Sequence, residues 1–124
     1  MVRLPRRRFE ELVRQALDEL PSPIKSRMDN VDIVVQEWPT PSDLDDAGLH
    51  SRRELLGLYQ GVPLTERSDY TMVLPDIITI FRRPIEARCA TAEEVVQEVR
   101  VTVVHEVAHH FGISDDALEE TAYG

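Results

Sequence analysis

Residues 91–112 have the sequence TAEEVVQEVRVTVVHEVAHHFG, and this stretch carries the clearest structural signal in the chain. Thr91 and Glu94 fit a capping box, in which the Thr hydroxyl accepts from an early backbone N–H and the Glu side chain returns to the cap. Gly112 is suited to ending a helix, because a residue without a Cβ adopts positive φ at little cost. The stretch therefore predicts one long helix from Thr91 to Phe111.

The predicted helix has two chemically different faces. Val95, Val99, Val103 and Val107 recur at every fourth position and form a stripe suited to a hydrophobic core. His105 is rotated by about 200° from its two neighbours in that stripe. The histidine therefore faces away from the predicted core, and His109 does so one turn further along.

The residue types on this second face indicate metal chemistry. Residues four apart on a helix lie one above the other, so His105 and His109 can both bind one Zn²⁺ ion. Glu106 is rotated by about 100° from His105, which puts its carboxylate beside the open coordination position of the metal. There it can take a proton from an activated water and deliver it to a leaving amine. The pattern predicts a hydrolytic zinc site with Glu106 as the catalytic residue.

A tetrahedral zinc ion with one open position needs a third protein ligand. Asp115 follows Gly112 by three residues and is our candidate. The alternative puts Asp115 in the first turn of a short C-terminal helix over residues 114–120, where it would complement the helix dipole. In that case Asp116 or Glu119 would take its place as the ligand.

The string His105-Glu106-x-x-His109-x-x-Gly112-x-x-Asp115 resembles the zincin-like metallopeptidases, in particular the short bacterial members of minimal size. The similarity extends to LLGLYQGVPLTER at 55–67, PDIITIF at 75–81, and TVVHEVAHHFGISDD at 102–116. The resemblance implies an α+β fold, and the length of 124 residues with 42% hydrophobic side chains predicts a single domain over residues 1–124. Such a fold has a mixed sheet of about three to four strands packed on the metal-binding helix, an N-terminal helix and a short C-terminal helix.

The rest of the chain contains signals for the other elements of this fold. Residues 5–20 show the spacing of an amphipathic helix, and Pro21-Ser22-Pro23 ends that pattern. Residues 38–50 are rich in proline and aspartate and predict a loop, while 63–75 predict a hairpin-like excursion or a long loop. Strands are expected at 31–36, at 55–60, with Gly57 a possible bulge, and at 76–81.

Composition narrows the classes of partner. The chain has 23 acidic and 14 basic side chains and a net charge of −9, which disfavours binding to nucleic acid or to an anionic membrane. Arg3, Arg6, Arg7 and Arg8 form a basic N-terminal cluster that is either solvated, in contact with the protein's own acidic surface, or free for an acidic partner. The single cysteine, Cys89, excludes an intramolecular disulfide and predicts a small buried side chain. With no apolar run of membrane-spanning length, we expect a cytoplasmic protein.

Two functions are compatible with these patterns. The first is a zinc-dependent peptidase that acts on peptides or unfolded protein segments, with extended substrate paired to an edge strand at Ile77–Ile80. The second is a zinc-stabilised interaction or regulatory domain that cuts no peptide. Several other side chains are assigned lesser roles. Tyr59, Tyr70 and Tyr123 are candidate oxyanion donors or packing residues, His110 supports the site or lies at the surface, and His50 is solvated.

Overall fold

The computed structural model describes residues 1–61 and 74–113. Within these residues it contains five helices and a three-stranded mixed sheet, which confirms the predicted α+β class. The helices are α1 (Arg6–Asp18), α2 (Ser22–Lys25), α3 (Pro41–Ala47), α4 (Arg82–Arg88) and α5 (Ala92–Phe111). The strands are β1 (Val31–Gln36), β2 (Gly57–Gln60) and β3 (Asp76–Phe81). No helix in these two ranges is long and apolar enough to cross a membrane.

The sheet has the order β1-β3-β2, with β3 in the centre. β1 and β3 are parallel, with Ile33 opposite Ile78, whereas β2 and β3 are antiparallel, with Gly57 opposite Ile80. The expectation of an edge strand at Ile77–Ile80 is therefore wrong, because β3 forms backbone hydrogen bonds on both of its sides. Among the described strands, the edge that faces the predicted site is β2.

The main core lies between α1, α5 and one face of the sheet. Side chains of a strand alternate between its faces, so Ile78 and Ile80 point together towards the helices. Phe9 and Leu12 of α1 fill the space against α5, as their helical spacing predicted. A smaller apolar cluster around Phe81 lies on the opposite face, where α3 covers it.

Helix α5 follows its sequence signals closely. The Thr91 hydroxyl accepts from the Glu94 backbone N–H at 3.2 Å, and Gly112 ends the helix at φ 66°. The Glu94 carboxylate accepts from the Ala90 backbone N–H at 2.6 Å, one residue before the position that a capping box uses. The valine stripe is fully buried, as predicted, whereas His105 and His109 on the other face are exposed.

The predicted loop at 38–50 is wrong in part, since α3 forms within it. Thr40 and Asp43 make the two reciprocal side chain to backbone bonds of a capping box at 3.1 and 2.9 Å. Gly48 then closes the helix at φ 70°. Because α3 buries none of its residues fully, apolar spacing gave no sign of it, and local capping chemistry accounts for its formation.

Helix α4 was also not expected, and it contains a buried ion-pair network. The Arg82 guanidinium contacts Glu86 at 3.3 Å and both carboxylate oxygens of Glu37 at 2.9 and 3.0 Å. The Leu4 backbone N–H donates to Glu86 at 3.2 Å, while the Leu4 carbonyl accepts from Arg82. The N-terminal segment is thus fixed to α4 by charged groups. Arg6 also pairs with Glu37, so this part of the basic cluster lies on the protein's own acidic surface.

Candidate metal and catalytic site

A cleft of about 810 Å³ runs along the exposed face of α5, between this helix and β2. Its lining includes His105, Glu106 and His109, which are the predicted metal ligands from the helix and the predicted catalytic carboxylate. Tyr59 and Leu55 line the opposite wall. The structure therefore brings His105, Glu106 and His109 into one cleft, whose volume is in the range of known ligand-binding pockets.

The two histidines are exposed, whereas the valines on the other side of α5 are buried. Their separation of one helical turn arises directly from the regular helix between Ala92 and Phe111. Both imidazoles line the cleft. The chemistry of this donor pair suits a divalent transition metal.

Glu106 is half-buried and is anchored by the sheet. Its Oε1 accepts from the Tyr59 backbone N–H at 2.9 Å, across 47 positions of sequence. Burial raises the pKa of the Glu106 carboxyl, while the Tyr59 N–H and the nearby His109 and His105 lower it by smaller amounts. A carboxylate with a raised pKa is a stronger proton acceptor, and here its orientation is fixed by a backbone donor.

His110 lies beside the predicted ligands and packs against β2. Its ring stacks on Tyr59 with centroids 3.9 Å apart and an interplanar angle of 20°. The Tyr59 hydroxyl donates to Asp76 Oδ2 at 2.7 Å, so the phenol is directed towards the start of β3. These contacts agree with a supporting role for His110 and with a half-buried packing role for Tyr59.

The candidates for a third metal ligand are not among the described residues. Asp115, Asp116 and Glu119 fall outside residues 1–61 and 74–113, as do Tyr70 and Tyr123. Inside those ranges, no three His, Cys, Asp or Glu side chains form a group that could hold a metal ion. The assignment of Asp115 therefore stays a prediction.

Two single residues outside the cleft agree with their predicted environments. His50 is exposed, and Cys89 is buried at 2% exposure. Burial, together with the nearby carboxylates Glu98 and Glu94, raises the pKa of the Cys89 thiol to about 11. The cysteine is thus a protonated core residue.

Sequence reasoning missed the contribution of β2 to the site. The donor to Glu106 is a backbone N–H, and every residue except proline has one, so residue type gave no signal. Gly57 was noted as a possible bulge, yet it keeps regular register opposite Ile80. The reason for the glycine is instead its close approach to Thr102 on α5.

The chain matches a known protein family. The sequence profile of the zincin-like metallopeptidases matches residues 28–124, which include the whole described sheet and α5. Helix α1 lies outside the matched range. No curated protein matches the chain.

Proposed function

We propose that this chain, which belongs to the zincin-like metallopeptidase family, is a zinc-dependent peptidase that cleaves peptides or unstructured protein segments. The observation that carries the proposal is the meeting of His105, Glu106 and His109 in one cleft, with Glu106 anchored to the edge strand β2. A helix that only packs in the core, or that only faces solvent, does not require two histidines and an anchored glutamate to line one cleft.

The donor set fits zinc. His105 and His109 would hold the ion from consecutive turns of α5, and Asp115 is the proposed third ligand. Zinc bound there supplies Lewis acidity, which polarises a carbonyl group and lowers the pKa of water. The valine stripe keeps the helix fixed in the core, so the two imidazoles are preorganised for the metal.

Glu106 is the proposed general base. Its Oε1 is engaged by the Tyr59 N–H, which leaves Oε2 to accept a proton from the attacking water and pass it to the leaving amine. Anchoring one oxygen limits rotation of the carboxylate, so proton transfer needs less reorganisation. Burial raises the pKa of the Glu106 carboxyl, and a carboxylate with a raised pKa accepts the proton of the attacking water more readily.

The proposed substrate lies extended along β2. Within the described part of the chain, β2 pairs with β3 on one side only, and its other side faces the cleft. The Tyr59 N–H on that side is already bonded to Glu106, so substrate would pair with other backbone groups of the same edge. A segment without stable structure can align with such an edge, whereas a folded protein cannot present its backbone in this way. Peptides and unfolded segments are therefore the proposed substrates.

A peptide library incubated with the zinc-loaded protein tests the proposal. The Glu106→Gln variant should retain zinc, because the metal ligands are unchanged, and should lose turnover by about 10²–10⁴-fold. Glu93→Gln is the matched control, since Glu93 is an exposed glutamate in the first turn of the same helix. It should cleave at the wild-type rate.

Two results would contradict the proposal in different ways. Turnover that persists in Glu106→Gln would refute the role of the carboxylate. A wild-type protein that binds zinc but cleaves no library peptide would refute peptidase activity, and it would favour the zinc-stabilised interaction domain.

A further inference from the structure

Gly57 of β2 and Thr102 of α5 come unusually close together. A Cβ built at Gly57 would lie 2.6 Å from Thr102 Cγ2 and 3.2 Å from the carbonyl oxygen of Thr79. Carbon atoms pack best at about 3.5–4.0 Å, so a side chain at residue 57 would require β2 to move roughly 1 Å away from α5 unless the buried Thr102 side chain rotates. The glycine is needed for proximity, since its φ is one that other residues adopt.

This close contact is adjacent to the anchor of the proposed general base. Thr102 precedes Glu106 by one helical turn, so both point to the same face of α5. Gly57 precedes Tyr59 by two residues, so both lie on the same face of β2. The strand therefore meets the helix first at Gly57 and Thr102, and then at the Tyr59 N–H and Glu106 Oε1, 2.9 Å apart.

We propose that Gly57 and Thr102 are positioning residues that set the distance between β2 and α5 and thereby hold the Glu106 carboxylate in its working orientation. The inference rests on the proposed function. A retreat of β2 by 1 Å would lengthen the hydrogen bond beyond its effective range of about 3.2 Å. The carboxylate would then rotate freely, although both histidines would remain in place on the helix.

Steady-state kinetics of zinc-loaded Gly57→Ala, on a peptide that the wild-type protein cleaves, provides the first test. We expect kcat to fall by up to about a hundredfold, as a displacement near 1 Å can cause, with a smaller change in KM. Zinc stoichiometry should not change, because His105 and His109 belong to α5 alone. Tyr59 amide exchange, followed by nuclear magnetic resonance, should become faster.

The Thr102→Ser substitution provides the matched rescue, since it removes the Cγ2 atom that the new methyl group would meet. In the Gly57→Ala background it should restore part of the lost kcat, and the crowding against Thr79 should prevent full recovery. In the presence of Gly57 the same substitution should give no gain. A defect unrelated to the Gly57–Thr102 contact would not show this dependence on the partner residue, and Tyr59 exchange distinguishes a displaced anchor from a general loss of stability.

The outcomes separate the inference from the function on which it rests. Unchanged kcat in folded Gly57→Ala, or loss of kcat with unchanged Tyr59 exchange, would overturn the inference. If Gly57→Ala does not fold, the double variant Gly57→Ala/Thr102→Ser is compared with Thr102→Ser alone. A lower kcat together with faster Tyr59 amide exchange in the double variant supports the inference. An equal kcat overturns it. A wild-type protein without turnover refutes the proposed function alone. In that case the rate of Tyr59 amide exchange tests the inference by itself. Faster exchange in Gly57→Ala supports the inference, and unchanged exchange overturns it.

Discussion

Substitution of Arg82 by methionine should lower the free energy of unfolding by about 3 kcal/mol, because it leaves a buried carboxylate without its main counter-charge. The Arg82 side chain is 9% exposed, and that of Glu86 is 2% exposed. Methionine keeps much of the aliphatic volume, so the expected loss comes mainly from the charge that remains on Glu86.

The magnitude follows from the partners that Glu86 retains. Removal of one member of a buried ion pair typically costs about 3–5 kcal/mol. Glu86 would keep the Leu4 backbone N–H at 3.2 Å and Arg83 at 3.4 Å, of which the latter is more than a third exposed. These residual contacts put the expected cost at the lower end of the range.

Urea unfolding followed by circular dichroism measures this change, with Arg8→Met as the control. Arg8 pairs with Glu11, and both side chains are largely exposed, so its loss should cost less than about 1 kcal/mol. The double variant Arg82→Met/Glu86→Leu should be more stable than Arg82→Met alone, because no charge is then left buried. If Arg82→Met costs no more than Arg8→Met, the reasoning about this network is wrong.

Four further predictions concern Cys89, which lies between α4 and α5, and the two ends of α5. Cys89 should react slowly with iodoacetamide in the folded protein at pH 8 and quickly in urea, as mass spectrometry would detect, because burial raises the pKa of its thiol from 9.0 to about 11. The same shift should make unfolding easier as the pH rises from about 9 towards 11, since the unfolded chain releases the proton first. Gly112→Ala should cost about 1–2 kcal/mol in urea unfolding, because φ is 66° at this residue. Thr91→Ala should cost about 1 kcal/mol through loss of the helix cap. If Gly112→Ala or Thr91→Ala is as stable as the wild-type protein, the stabilising role assigned to that residue at its end of α5 is wrong.

The sequence predicted α5 well because its determinants are local. A cap at Thr91, a valine every fourth residue and a glycine at 112 all indicate the same helix. Because this helix is regular, the predicted ligands His105 and His109 lie on one face, one turn apart. By contrast, α4 depends on Arg82 and Glu86 neutralising each other in the interior, and sequence spacing alone does not show whether charged residues find partners.

The contribution of β2 to the candidate site depends on contacts between distant parts of the chain. The central position of β3 follows from the pairing of β1 with a strand about 45 residues later, which no local pattern encodes. The Tyr59 N–H and the Gly57–Thr102 contact exist only once that sheet has formed. Sequence reasoning therefore predicted Glu106 as the catalytic side chain and the presence of a strand near β2, but it missed the contact between the two.

The division of α5 into a valine face and a histidine face has a consequence for how this protein can change. Val99 and Val103 have no exposed surface, so substitutions there would be limited by stability. His105 and His109 would stay fixed as the proposed metal ligands, but partly exposed cleft residues of α5 such as Glu98 and Val101 contribute less to the core, and libraries that vary them should yield a high fraction of folded members. New specificities can then be selected on one side of the helix while the other side preserves the scaffold.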